Sequence, residues 1–139
     1  MRMAIALALA VLFVTPAASE LISEPLTTPV LENFVFESAD DGESEPLAHP
    51  FDAVSRYWAN HPETMEGKPT AIMSMRPGRG TMIVDLRMEG LLDDAVSGEH
   101  YRAIVAPRPD GGWFTIAVGK RIQCARGPMA GQWGMAACP

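Results

Sequence analysis

The sequence predicts an α+β domain: one helix packed on an antiparallel sheet of about four strands, finished by a C-terminal disulfide loop. Three observations predict it. Phe51, Val54 and Trp58 recur at helical spacing. From Thr70 onward apolar residues fall on alternate positions, the period of a half-buried strand. Cys124 and Cys138 are the only cysteines and lie close together near the C-terminus. A small open β-barrel with the helix plugging one end is the alternative architecture.

The first nineteen residues read as a secretory signal. Met1 and Arg2 start it, Ala4 to Val14 is an unbroken apolar run, and Thr15-Pro16-Ala17-Ala18-Ser19 supplies a small-residue cleavage region. The run is far shorter than the roughly twenty residues a membrane-spanning helix needs. Export follows as the expectation, to the periplasm or beyond, with no membrane span after cleavage. Exported chains meet oxidising conditions, so Cys124 and Cys138 are expected to pair. Closing that loop contributes about 3 kcal/mol in the chain-entropy model.

Residues 20–49 read as an acidic, proline-containing flexible segment. Between Glu20 and Asp52 there are nine acids and no Lys or Arg, whereas residues 53–139 carry eight acids and ten basic residues. The net charge of −6 therefore belongs to the N-terminal segment. A nearly neutral body without a basic-aromatic stripe points to no nucleic-acid partner. Within the segment, Phe34-Val35-Phe36 can form a short edge strand or dock on the body.

Residues 50–139 read as the single domain. His49 to Asn60 is the expected helix, with Pro50 in its first turn, Asp52 favouring the positive end of the dipole, and Pro62 ending it. Thr70 to Arg76 alternates, placing Ala71, Met73 and Met75 on one face. Arg76-Pro77-Gly78-Arg79 reads as a type II turn. Thr81 to Met88 alternates again, with Met82, Val84, Leu86 and Met88 inward and Thr81, Asp85 and Arg87 outward. Gly90 to Glu99 reads as a connection. His100 to Pro107 and Trp113 to Cys124 are expected strands, joined by the loop Arg108-Pro109-Asp110-Gly111-Gly112. Along the last strand Phe114, Ile116, Val118 and Ile122 are expected inward.

Chemistry leaves a fainter trace. There is no Gly-x-Ser-x-Gly elbow, no His-Glu-x-x-His pair and no phosphate-binding glycine loop. No catalytic residue and no cofactor are assigned. His49, His61 and His100 read as surface or helix-capping residues. Asp93-Asp94 reads as a solvated loop, the alternatives being a calcium loop or acid–base chemistry with His100. Met73 and Met75 read as core, because methionine fills irregular interiors. Their alternative is thioether binding of Cu(I), which makes them the candidate metal residues. Arg76 and Arg79 flank a turn, and Arg102, Arg108, Lys120, Arg121 and Arg126 decorate the later strands, where a cluster can receive a carboxylate or phosphate. Arg76, Arg79, Trp113 and Trp133 are the candidate binding surface.

Gly90-Leu91-Leu92-Asp93-Asp94-Ala95-Val96-Ser97-Gly98, Gly112-Trp113, the run Gly119 to Cys124, Arg126-Gly127, Trp133 and Cys138-Pro139 form a pattern over roughly residues 84–139. It resembles a pattern in small exported bacterial proteins of unknown function, and that resemblance implies export and the disulfide but no activity. The expected function is a non-enzymatic envelope module that binds a protein or small ligand. The alternatives are a copper or small-ligand carrier and a small hydrolase.

Overall fold

The computed structural model describes residues 31–38, 45–59 and 69–139. The signal region, His61 and Pro62 lie outside them. The elements are β1 (Val35–Ser38), α1 (Asp52–Ala59), β2 (Thr70–Pro77), β3 (Met82–Glu89), β4 (Val96–Pro107), β5 (Trp113–Cys124) and β6 (Trp133–Gly134).

All strands join one antiparallel sheet in the order β1-β5-β4-β3-β2, with β6 also on β5. The α+β expectation is therefore corrected. Six strands and one eight-residue helix make a mainly antiparallel β protein among the described residues. Two strands beyond the expected four account for the difference. β1 is four residues in an acid-rich stretch, and β6 is two residues inside the disulfide loop. β1 realises the short edge strand that Phe34-Val35-Phe36 offered, whereas β6 is too short to show a period of two. The order runs from edge strand β1 to edge strand β2, so the sheet is not closed among the described residues.

The helix starts where local hydrogen bonding demands. The His49 imidazole Nδ1 accepts the Phe51 N–H at 3.2 Å, and Asp52 Oδ2 accepts the His49 N–H at 2.9 Å. This reciprocal pair satisfies amide donors that the first turn leaves orphaned. His49 is thus a helix cap, as its position suggested. The amphipathic helix lies on β3, β4 and β5. Val54 and Ala53 meet Val84, Leu86, Met88, Val105 and Val118, all buried, and Trp113 packs at the margin. Tyr57 stacks on Tyr101 with ring centroids 4.1 Å apart.

Three sequence expectations shift in detail. The β2–β3 turn is closed by Gly78 N–H donating to the Thr81 carbonyl, and the positive φ falls on Gly80, at 66°, rather than on Gly78. β4 begins at Val96, inside the expected connection, because Leu91 and Ala125 bond back across residues 95–97. In β5 the ladder slips between Ile104/Ala117 and Val105/Thr115, a bulge that admits one extra residue. Thr115 and Val118 are buried while Phe114, Ile116 and Ile122 are only half-buried. The uniform inward face expected for β5 is interrupted by that bulge, since a one-residue slip reverses the side-chain faces.

The disulfide Cys124–Cys138 is formed. From Cys124 the chain turns through Gly127 and Gly131, and Gly131 N–H donates to the Cys124 carbonyl at 2.8 Å. Gln123 Nε2 donates to the Gly131 carbonyl at 2.9 Å. These bonds return the chain so that Trp133 pairs opposite Gln123 on β5.

Candidate functional site

The face of the sheet away from the helix carries the alternate residues of the same strands. β3 contributes Asp85, Arg87 and Glu89, β4 contributes Gly98, His100 and Arg102, and β5 contributes Gly119 and Arg121. Alternation alone predicts that this polar face is solvated. The structure instead buries its centre: His100 is 2% exposed and Asp85 8%.

The burial has a specific cause. Phe34 lies over Gly119, where a Cβ would come within 2.6 Å of the Phe34 Cβ. Trp133 lies over Gly98, where a Cβ would come within 2.9 Å of the indole Cη2. Two glycines in adjacent strands therefore leave slots for two aromatic rings. Those rings bracket His100 edge-on, with centroids 5.0 Å away for Phe34 and 5.9 Å for Trp133. The same rings carry the guanidiniums. Arg102 and Arg121 stand 4.8 Å from the Phe34 centroid, and Arg87 and Arg121 stand 5.5 and 5.6 Å from that of Trp133. Cation–π attraction strengthens when such pairs are shielded from water.

His100 holds the network together. Arg121 Nε donates to His100 Nδ1 at 3.1 Å. A guanidinium has no acceptor, so Nδ1 carries the lone pair and the ring proton sits on Nε2. Nε2 then donates to Asp85 Oδ1 at 2.6 Å, and Arg102 Nε donates to the same oxygen at 2.7 Å. Burial, reinforced by the charges of Arg121 and Arg102, holds His100 below its ordinary value of 6.5 despite the Asp85 contact. Burial pushes the Asp85 carboxyl up, but hydrogen bonds and charge from His100 and Arg102 outweigh it, and the group lies below 3.8. The pair is thus an ionised carboxylate against a neutral imidazole.

Positive charge exceeds negative on this face. Asp85 serves Arg102, and Glu89 pairs with Arg87. Arg87 Nε is buried with no hydrogen-bond partner among the described residues. Arg121 makes no ion pair among the described residues. Burial first, then the charges of Arg102 and Arg87, push its guanidinium downward. Lys120, its neighbour in sequence, projects to the helix side and is neutralised there by Glu99 at 2.7 Å.

Beside Arg121 the sheet edge is notched. β1 covers β5 as far as Lys120, and β6 begins opposite Ile122. The gap between the two strand ends is a cavity of about 240 Å³ lined by Val35, Glu37, Lys120, Arg121, Ile122, Gly134, Met135 and Ala137.

Of the residues singled out from sequence, Trp133 and Arg121 come together here, with Arg102. Trp113 is held at the far end of β5 by reciprocal backbone bonds to Leu47 of 2.9 Å. Arg76 and Arg79 are exposed at the β2–β3 hairpin. Asp93 Oδ1 accepts the Ala95 N–H at 2.9 Å, a local turn bond. The reading of Met73 and Met75 as core is corrected: β2 is exposed along its whole length, and they are 40% and 41% exposed. The helix covers β3 to β5 and stops short of this edge strand. Met75 has Met82 as a diagonal neighbour and Met73 has Met88.

Sequence reasoning missed Asp85, Arg87, His100, Phe34 and the two glycines as one unit. The legible trace was the alternation Gly98-x-His100-x-Arg102 beside Gly119-x-Arg121. No protein-family model, curated protein or solved structure matches the chain.

Proposed function

We propose that the chain is an exported, non-enzymatic binding module that receives an anionic ligand on its cation–aromatic face. The observation that carries the reading is Arg121. It is half-buried, stands near two other guanidiniums on the rings of Phe34 and Trp133, and makes no ion pair among the described residues. A site built this way is completed by an anion from outside, and charge-assisted bonds to a guanidinium are the strong kind.

Two further observations support binding over catalysis. Both nitrogens of His100 are engaged, one by Asp85 and one by Arg121, and the ring is sealed between Phe34 and Trp133. A general base needs a free nitrogen within reach of substrate. Export is supported by the formed disulfide, which persists in oxidising compartments. No helix among the described residues is long and apolar enough to cross a membrane.

The test is a titration of the oxidised protein with acetate, phosphate and citrate, followed by the Nε–H resonances of its arginines. The expected result is a saturable shift of Arg121 and Arg87 that Arg121→Gln abolishes. Shifts that grow linearly up to about 100 mM, as weak ionic screening gives, would refute the proposal.

A further inference from the structure

We propose that the outer edge of β2 pairs with β2 of a second copy of this chain, antiparallel about a twofold axis at Met73, so that the two sheets become one.

β2 ends the strand order, and no strand covers its outer edge among the described residues. An exposed strand edge templates pairing with another chain unless it is short, charged, bulged or broken by proline. The opposite edge of the sheet carries such devices. β1 has four residues, a register shift between Phe36 and Ser38, and Glu37 at that shift. β2 has eight residues, pairs with β3 without a shift, and carries no charge from Thr70 to Met75. Its proline, Pro77, stands at the last position. Ile72, Met73 and Met75 are exposed.

The phase of the ladder fixes which backbone groups are open. Gly78 N–H donates to the Thr81 carbonyl, so Gly78 and Thr81 form a hydrogen-bonded pair. Bonded and non-bonded pairs alternate along an antiparallel ladder. In the β2–β3 register, Thr70, Ile72, Ser74 and Arg76 therefore direct N–H and C=O to β3, and Ala71, Met73 and Met75 direct theirs to the open edge. These residues are spaced evenly about Met73. When Met73 faces Met73 of an antiparallel copy, Ala71 falls opposite Met75 on both sides of the axis. Each outward N–H and C=O of the three residues then finds a partner.

The side chains select a second copy as the occupant. Ala71, Met73 and Met75 lie on the helix side, opposite Met88, Leu86 and Val84, so apolar groups meet apolar groups across the seam. On the far face Ile72 meets Ser74 and Arg76 meets Thr70, and no like charges stand opposite one another. Thr70 in turn is opposite Glu89 on β3. Arg76 of one copy thus lies two strand spacings, about 10 Å, from Glu89 of the other, within reach of two long side chains. Twofold symmetry repeats that complementary pair at both ends of the seam. One strand edge buries less than a standard interface, so the dimer is a concentration-dependent one.

The experiment is sedimentation equilibrium of the oxidised protein from about 10 μM to about 1 mM, with hydrogen exchange at both ends of that range. The mass should double and stop there. The amides of Ala71, Met73 and Met75 should gain protection with concentration, while those of Ile72 and Ser74 are protected throughout. Met73→Lys sets two lysines opposite each other at an exposed position and should weaken association at least about tenfold. Met73→Glu should do the same, and an equimolar mixture of the two variants should restore the dimer. A protein that stays monomeric over the whole range overturns the inference. So does a dimer indifferent to Met73→Lys, a mass that grows past two copies, or protection gained at β1 and β6 instead of β2.

Discussion

The two faces of one sheet are held by opposite physics. Val84, Leu86 and Met88 of β3 face the helix, and Asp85 and Arg87 between them face the other way. The helix side is closed by apolar burial, with Val84, Leu86 and Val118 at 0% exposure. Its polar groups are few and settled: Tyr101 donates to Glu99, and burial first, with the Glu99 charge adding to it, pushes the phenol up to about 12. The far side is closed by two aromatic rings laid over a carboxylate, an imidazole and three guanidiniums. One face contributes stability without direction. The other arranges charges with fixed geometry, and Arg121 there makes no ion pair among the described residues.

The comparison breaks most sharply at Leu86. Leu86→Ala leaves a cavity under the helix and should cost about 2–5 kcal/mol in urea or thermal unfolding. Because the core is shared by β3, β4, β5 and α1, the loss should be global, lowering protection of every strand in hydrogen exchange. Unchanged stability would mean that the helix contributes little to the core.

A smaller and more local effect is expected on the other side. Gly119→Ala puts a Cβ against the Phe34 Cβ, and neither is the end of a flexible side chain. It should cost about 1–3 kcal/mol, the range for overpacking. The ring signals of His100 should move while the Tyr57–Tyr101 stack stays intact. If both faces respond equally, the aromatic cover is not a separable unit.

The smallest effect separates the faces by pH. The unfolded chain takes up a proton at His100 near 6.5, whereas the folded chain resists until lower pH. Stability conferred by the neutral imidazole is therefore present above pH 6.5 and declines as pH falls below it. Asp85 contributes in the same direction further down, its share present above 3.8 and lost as pH falls through its folded value. The slope at any pH is at most about 1.4 kcal/mol per unit for each group. Urea midpoints measured between pH 7.5 and 5 should fall in the native chain and flatten in His100→Gln. A flat native profile would show that the Asp85–His100–Arg121 network does not hold the protonation state its geometry implies.

The sheet was legible wherever one face is apolar over several residues. Thr70 to Met88 and Trp113 to Cys124 announce β2, β3 and β5 nearly to the residue. Less was legible of the site. Asp85 and Arg87 read as a solvated face, because alternation reports which residues avoid the helix and not what covers the others. His100 read as a surface residue for the same reason. Arg121 and Trp133 were noticed separately, as one basic residue among several and one tryptophan among three.

By itself the sequence determined the strand periods, the helix and its cap, the pairing of Cys124 with Cys138, and the confinement of negative charge to the N-terminal segment. These follow from local sterics, alternation and composition, which act over a few residues. Only the tertiary structure decided that β1 and β6 share the outer edge of β5, that Phe34 and Trp133 fall into the slots left by Gly119 and Gly98, and that a cavity forms between those two strand ends. Those outcomes depend on contacts between residues far apart in the chain. Their energy exists only once the ladder brings the strands together, so no short window of sequence carries them.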